Sequence, residues 1–185
     1  MIKPWWKEKK HMWIMAIVLA SATFTFDNTV REIFLQLSHP LITYVMSGFS
    51  HLATLLIVLV GITSLFLIEE KKTRWMKVIW LSFATTFVMT AVLKLIMGRE
   101  RPIADFAGLG FLANAFPSAH AALAFALIPV LDREFPVLKW FWITFAVMVA
   151  ASRLYLDVHY FSDVVWGALL GYAIGTWFVR WEEKR

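Results

Sequence analysis

Cysteine is absent from this sequence, and charged residues are scarce. Without a thiol in 185 residues, neither a disulfide framework nor a thiolate metal site can form. Charged residues make up 17% of the chain, against about 25% in an average soluble protein. Hydrophobic residues make up 60%, and the mean hydropathy is +0.67, which is more apolar surface than a soluble domain of this length can bury. This composition predicts a protein whose solvent is lipid.

The long apolar runs lack the two-residue alternation of β-strands. Backbone groups inside a bilayer must pair within a helix or a closed barrel, so continuous runs indicate transmembrane helices. We predict an all-α polytopic membrane protein, a six-transmembrane-helix bundle that forms one membrane-embedded domain over residues 1–185. The spans are predicted near residues 12–26, 50–68, 76–97, 118–131, 137–155 and 163–180. Five spans are the alternative, because the fourth run falls short of the about 20 residues that cross a bilayer.

The segment between the first two predicted spans, residues 27–49, has a different pattern. Apolar residues recur in it at helical spacing with polar residues between them, and Pro40 interrupts the pattern. This predicts one or two short interfacial helices split at Pro40, and a loop folded against the bundle is the alternative. No small-residue cleavage site follows the first apolar run, so we expect that run to be kept rather than removed as a signal peptide.

Basic residues are distributed unequally between the two sides that six spans create. With the amino terminus inside, the outer side receives only Arg31, Lys94, Arg99, Arg101 and Arg153. The inner side receives the remaining basic residues, which in the first ten positions are Lys3, Lys7, Lys9 and Lys10. This asymmetry follows the positive-inside rule and predicts a plasma-membrane protein with both termini in the cytoplasm. Orientation thus explains the net charge of +5, and no nucleic-acid partner is expected.

Three short segments, residues 94–102, 117–120 and 152–163, carry most of the unusual polar residues of the outer side. Lys94, Arg101 and Arg153 are cations within or beside apolar helices, where an unpaired charge is costly. A shared anion would remove that cost, and phosphate fits because Arg binds it bidentately and Lys as a point charge. Ser118 and the first backbone N–H groups of the helix predicted to begin there would be further donors.

Two histidines and a carboxylate in these segments predict nucleophilic and acid–base chemistry. His159 and Asp163 are four residues apart, one helical turn, so the carboxylate can orient the imidazole. A neutral imidazole held in this way can attack phosphorus, and His120 can protonate the leaving oxygen. The three cations would stabilise the charge of the transition state. We therefore predict a phosphatase site that faces outside.

Each of these residues also has an ordinary structural interpretation. Lys94 alone can snorkel to the interface, and Arg153 can pair with Asp157 or Asp163 as a tie within the bundle. His120 alone is typical of an interhelical hydrogen bond, and Asp163 alone is typical of a helix N-cap. A metal site made of the two histidines and the two aspartates is the competing chemistry, and three surrounding cations disfavour it. No metal and no cofactor is therefore expected.

The three segments resemble the motifs of the type 2 phosphatidic acid phosphatase family. That family is marked by K-x6-R-P, then P-S-G-H, then S-R-x5-H-x3-D. The sequence matches at Lys94…Arg101-Pro102, Pro117-Ser118-Ala119-His120 and Ser152-Arg153…His159…Asp163. One position departs from the pattern, because residue 119 is Ala where the family has Gly. Ala fits there if the residue lies in the first turn of a helix rather than at a positive φ.

The resemblance implies a metal-independent lipid phosphatase with a phosphohistidine at His159, oriented by Asp163, and with His120 as general acid. It implies that the phosphate is held by Lys94, Arg101, Ser118, Arg153 and the backbone near Ala119. Substrates of the family include phosphatidic acid, phosphatidylglycerophosphate and undecaprenyl pyrophosphate. The expected partners are thus a lipid phosphate substrate and the membrane lipids. A lipid phosphotransferase and a non-catalytic anion or lipid transporter remain the alternatives, and selectivity is expected to lie in residues 27–49 and 102–116.

Overall fold

The computed structural model describes residues 10–103, 110 and 113–185, and every regular element in these ranges is a helix. In chain order the helices are α1 (Lys10–Ala22), α2 (Asp27–Gln36), α3 (Pro40–Ser50), α4 (Leu52–Glu69), α5 (Thr73–Met97), α6 (Ala119–Glu134), α7 (Lys139–Tyr155) and α8 (Phe161–Glu183). Single 3-10 turns precede α2 (Thr23–Phe26) and α7 (Pro136–Leu138), and the middle of α4, Leu56–Ile62, is π-helical. The all-α prediction is confirmed. Lys3, Lys7, Lys9 and most of the 102–116 connection lie outside the described residues.

Five helical stretches of the described chain are long and apolar enough to cross a membrane. They are Lys10–Gln36, Leu52–Glu69, Thr73–Met97, Pro136–Tyr155 and Phe161–Glu183. The predicted fourth span corresponds to α6, which has 16 residues and is therefore about 24 Å long at a rise of 1.5 Å per residue. This is shorter than the about 30 Å hydrocarbon core, so a membrane crossing by α6, and with it the total of six spans, stays a prediction.

The first helical stretch differs from its predicted boundary. It was expected to end near residue 26, but it continues through the 3-10 turn into α2 and ends at Gln36. The polar residue at the junction, Asp27, does not end the helix because it is buried and hydrogen-bonded to Arg99 and Ser162. The predicted break at Pro40 is present, since α3 begins there with His39 as its N-cap.

α6 lies at the centre of the bundle and packs most closely against α8. Gly167, Gly171 and Gly175 of α8 form a small-residue stripe that faces the backbone of α6. A Cβ at Gly167 would come within 2.5 Å of the Ser118 carbonyl oxygen, and a Cβ at Gly171 would overlap the Ala122 carbonyl oxygen. Only glycine allows this approach, and it brings the start of α6 directly beside the start of α8.

The bundle has two polar ends separated by an apolar core. One end joins the α4–α5 and α6–α7 connections to the carboxyl terminus, with ion pairs between Lys72 and Glu134 and between Arg133 and Glu183. The core beside it includes Leu67, Ile79 and Leu127, which are fully buried. The opposite end carries the residues described next.

Candidate active site

Lys94 and Arg153 reach the site from the last turns of two helices. Lys94 lies in the last turn of α5, is 3% exposed and donates from Nζ to the carbonyl oxygens of Asn114 and Ala115, the latter at 3.4 Å. Arg153 lies in the last turn of α7, is 8% exposed and donates to the side chain and the carbonyl oxygen of Ser50. Both cations are therefore held by neutral oxygens, which leaves their charge uncompensated by these contacts.

Arg101 follows α5 after the left-handed Gly98, whose φ of 57° ends that helix. Its Nε donates to the Ala113 carbonyl oxygen at 2.5 Å and its Nη1 to the Val158 carbonyl oxygen at 3.4 Å. Val158 immediately precedes His159, so Arg101 contacts the loop between α7 and α8. Burial lowers the pKa of Arg101 below its usual value, and the negative charge of Asp163 acts in the opposite direction.

Ser118 and Ala119 lie where α6 begins. Ser118 is the N-cap residue in an extended conformation, is fully buried, and donates its backbone N–H to the Asp163 carbonyl oxygen at 2.9 Å. Ala119 is the first helical residue, and among the described residues other than glycine only Lys71 and Asp157 have a positive φ. The expectation that Ala119 lies in the first helical turn is confirmed.

His159 lies in the five-residue loop between α7 and α8 and is 3% exposed. Asp157, at a φ of 54°, turns the chain toward it and forms two hydrogen bonds of 2.7 Å with the Arg31 guanidinium. The Nδ1 atom of His159 lies 3.6 Å from the Asp163 Oδ2 atom. That separation is longer than a hydrogen bond. Catalytic hydrogen bonds are often this long without substrate and shorten when substrate binds.

The pKa of His159 depends on its burial and on three neighbouring cations. Its pKa is lowered well below the usual value, mainly by burial and then by the charges of Arg153, Lys94 and Arg101, whereas a hydrogen bond with the Ala115 backbone raises it. His120, in the first turn of α6, interacts electrostatically with the same three cations and with His159. The three separated motifs therefore meet in one place, and the imidazole of His159 is neutral there at physiological pH.

Several buried polar atoms of this cluster have no hydrogen-bond partner within the described part of the chain. They are Ser118 Oγ, Arg153 Nε and His159 Nδ1. Leaving a buried donor or acceptor unpaired is costly, so such a group calls for an explanation. A tetrahedral oxyanion would satisfy the two donors, Ser118 and Arg153, and would compensate the charge of the cations.

The ordinary structural roles considered for Arg153 and Asp163 are not the ones that the structure shows. Arg153 pairs with neither Asp157 nor Asp163, because those two residues bind Arg31 and Arg99 instead. Asp163 is not the N-cap of α8. It is the third residue of that helix, and its Oδ2 atom accepts from the backbone N–H of the N-cap residue, Tyr160, at 2.9 Å. No group of three His, Asp or Glu side chains within residues 10–103, 110 and 113–185 is arranged to hold a metal ion.

Arg99 is the residue of this region that sequence reasoning left without a role. Its Nη1 donates to the Asp163 Oδ1 atom at 2.6 Å and to Ser162 Oγ at 2.7 Å, and its Nη2 donates to the Asp27 Oδ2 atom at 2.7 Å. The guanidinium lies 4.3 Å from the ring centroid of Tyr160. Its presence among the five basic residues predicted on the outer side was the signal in the sequence, and its partners were not deducible from spacing.

The chain is similar to known proteins in sequence and in fold. The model of the PAP2 superfamily matches residues 75–185. Phosphatidylglycerophosphatase B of Bacillus subtilis (strain 168) is 30% identical over 94% of each chain, and undecaprenyl-diphosphatase of Sulfolobus acidocaldarius is 32% identical over 60% of this chain and 57% of its own. A crystal structure of a transmembrane PAP2 type phosphatidylglycerolphosphate phosphatase from Bacillus subtilis superposes with a TM-score of 0.75, at 27% identity, over 94% of this chain and 95% of that one.

The fold and these relatives together identify a membrane enzyme that hydrolyses lipid phosphates. The chain belongs to the PAP2 superfamily and is a lipid phosphatase of that family. The resemblance inferred from the three motifs is thereby confirmed. The roles of the individual site residues remain predictions.

Proposed function

We propose that the protein hydrolyses the phosphate monoester or diphosphate of a membrane lipid through a phosphohistidine on His159. The observation that carries this proposal is the convergence of Lys94, Arg101 and Arg153 on one buried, neutral histidine. Neutrality matters because only an unprotonated ring nitrogen has the lone pair that attacks phosphorus. The same three cations balance the charge of the bound phosphate, together with the Ser118 hydroxyl and the backbone N–H groups near Ala119.

The reaction has two balanced steps. In the first, a ring nitrogen of His159 forms a bond to the terminal phosphorus, and the bond from that phosphorus to the leaving oxygen breaks. His120 gives its proton to the leaving oxygen, which is the alcohol oxygen of a monoester or the bridging oxygen of a diphosphate. In the second, water attacks phosphorus while His120 accepts its proton, and the phosphorus–nitrogen bond breaks to release inorganic phosphate. Asp163 orients the imidazole and balances the positive charge that it gains in the first step. The arriving phosphate also supplies the negative charge that favours a protonated His120.

The lipid nature of the substrate is supported by the surroundings of the site. An apolar cavity of about 440 Å³ lies between α1, α5 and α8, with Trp13, Leu93 and Trp166 among its lining residues. Phe116 and Pro117 also line it, and they directly precede Ser118. A hydrocarbon chain in this cavity would therefore run up to the phosphate-binding groups. Its volume falls within the range of about 300–1,000 Å³ that is usual for ligand pockets.

The orientation that we propose places this polar end at the outer face of the plasma membrane, with both termini in the cytoplasm. It rests on the positive-inside rule, since Lys72, Arg133 and Lys139 lie at the opposite end of the bundle. In this arrangement α6 crosses the membrane as the fourth of six spans, and α2 and α3 lie toward the outer interface. Phosphatidylglycerophosphate, phosphatidic acid and undecaprenyl pyrophosphate are the candidate substrates, and the first is favoured by the relative that matches over nearly the whole chain.

Replacing the nucleophile tests this function. In detergent, His159→Ala should abolish release of inorganic phosphate from all three lipids, whereas His11→Ala, a histidine on the exposed face of α1, should leave kcat and KM unchanged. Inorganic phosphate rather than a new phospholipid as the product distinguishes hydrolysis from transfer. Turnover by His159→Ala equal to that of the wild type would refute the proposed nucleophile.

Chelation tests the metal-independent chemistry. Because Asp157 and Asp163 are bound by arginines, no carboxylate in the described cluster is left to ligate a cation. We expect full activity in excess EDTA. Loss of activity that Mg²⁺ or Mn²⁺ restores would instead indicate a metal site.

A further inference from the structure

The carboxylate of Asp163 is held on both sides. Its Oδ1 atom accepts from Arg99 at 2.6 Å, whereas its Oδ2 atom accepts from the Tyr160 N–H at 2.9 Å and lies 3.6 Å from His159 Nδ1. The side chain of Asp163 is fully buried. The contact with Arg99 thus decides which oxygen is left to face the histidine.

Arg99 is itself held from the other side by a second carboxylate. The Asp27 Oδ2 atom accepts from Arg99 Nη2 and from Ser162 Oγ, both at 2.7 Å, and the Asp27 Oδ1 atom accepts from the Ser162 backbone N–H at 2.7 Å. Asp27 lies at the start of α2, where the first helical stretch passes the beginning of α8. One guanidinium therefore joins two buried carboxylates from opposite ends of the sequence.

The geometry requires a guanidinium rather than any cation. Arg99 uses two different nitrogens for Asp27 and Asp163, and its plane also lies over the ring of Tyr160. An arginine has several donors in a rigid planar fork, whereas a lysine offers a single flexible point charge. Lysine at this position would keep the charge and lose the fixed connection between the two carboxylates.

We propose that Asp27 and Arg99 are positioning residues of the active site, which act through Asp163 to set the orientation and the negative charge that His159 meets. This inference rests on the proposed function of His159 and Asp163. Arg99 occupies an unspecified position of K-x6-R-P, and Asp27 lies outside the three motifs and outside the residues that the family model matches. A shift of the Asp163 carboxylate by a fraction of an ångström would misalign the imidazole with phosphorus, and misplacement of about 1 Å can cost about 10²-fold in rate.

The test is a kinetic double-mutant cycle with Asp163. We expect Arg99→Lys and Asp27→Asn each to lower kcat by roughly 10- to 100-fold while KM changes by less than about 3-fold, because the phosphate-binding groups are untouched. In an Asp163→Asn background, the same two substitutions should change the remaining kcat by less than about 2-fold. A residue with a purely structural role would instead lower kcat by the same factor in both backgrounds.

Rates are expressed per correctly folded enzyme, measured as the monodisperse fraction in detergent. Asp27→Asn keeps the size of the side chain and leaves Arg99 and Asp163 intact, so it provides the test if Arg99→Lys fails to fold. Arg31→Lys is the matched control. Arg31 also binds a carboxylate of the α7–α8 region through two hydrogen bonds, but that carboxylate belongs to Asp157. Its effect should be equal with and without Asp163→Asn.

Two outcomes would overturn the inference. The first is an unchanged kcat in both Arg99→Lys and Asp27→Asn, and the second is an equal loss in both backgrounds. Failure of the underlying function would look different, since the wild-type enzyme would then release no phosphate or His159→Ala would remain active.

Discussion

His159 is buried, and it stays neutral at a pH at which an exposed histidine would begin to take up a proton. Three cations and nearly complete burial disfavour its charged form, so its pKa in the folded protein lies well below the usual value. This arrangement suits a nucleophile, and it has a cost for stability. In the unfolded chain the same residue titrates with a pKa near 6.5, so acid favours the unfolded state.

We predict that the free energy of unfolding contributed by His159 is fully present above about pH 7 and falls as the pH drops below about 6.5. The slope is at most about 1.4 kcal/mol per pH unit, because a single proton is taken up on unfolding. Unfolding of the wild type and of His159→Gln in detergent, compared between pH 5 and pH 8, measures it, since other titrating groups cancel in the difference. A difference that does not vary with pH would contradict the prediction.

Ala119 is the one motif position at which this chain departs from the family pattern. Because α6 begins at this residue without a positive φ, the methyl group causes no backbone strain. We predict that Ala119→Gly leaves kcat/KM within about 2-fold and lowers the stability by less than about 1 kcal/mol, because glycine costs about 0.5–1 kcal/mol in the middle of a helix and residue 119 is the first helical residue. Activity assays and thermal unfolding check the two parts separately. A large gain in activity would mean that the methyl group crowds the phosphate.

Two features of the helices position these residues. The glycine stripe of α8 lets α6 approach closely, and the hydrogen bond from Ser118 N–H to the Asp163 carbonyl oxygen joins the two helix starts. The glycine spacing was visible in the sequence, but the partner helix was not. Sequence reasoning did group the motifs correctly, because His159 and Asp163 lie close together in the chain and the span count put all three segments at one end.

We predict that Gly171→Ala destabilises the protein by about 1–3 kcal/mol and lowers activity, because the added methyl group overlaps the Ala122 carbonyl oxygen and forces the helices apart. Gly48→Ala is the matched control. A methyl group at that position of α3 meets nothing within 4 Å, so the change should be neutral or stabilising by up to about 1 kcal/mol. Equal unfolding temperatures for the two variants would contradict the close approach of α6 and α8.

The spacing of residues in the sequence did not predict the contacts between distant parts of the chain. Asp27 and Arg99 are 72 residues apart, and Arg31 and Asp157 are 126 residues apart. Their pairing depends on how the first helical stretch lies against α7 and α8, which no local pattern encodes. The number of spans was left open for a different reason, because the apolar run at residues 118–131 is shorter than the about 20 residues that cross a bilayer.

At the scale of the whole molecule, the polar residues divide into two ends, and the orientation proposed above assigns one end to each side of the membrane. The absence of cysteine allows a direct test with single cysteines. We predict that Glu100→Cys reacts with a membrane-impermeant maleimide in intact cells, whereas Val137→Cys, at a residue 95% exposed, reacts only after the membrane is permeabilised. The reverse pattern would invert the orientation and move the active site to the cytoplasmic face.

The family match begins at residue 75, so a shortened gene could retain every recognised motif while lacking α1 to α4. Such a fragment would lose Asp27, Arg31 and Ser50, which are the partners of Arg99, Asp157 and Arg153. Asp157 and Arg153 would then lose these partners, and Arg99 would keep its hydrogen bonds with Ser162 and Asp163. We expect the fragment to be inactive even if it inserts, which means that the 74 residues before the family match are needed for the chemistry of the remainder.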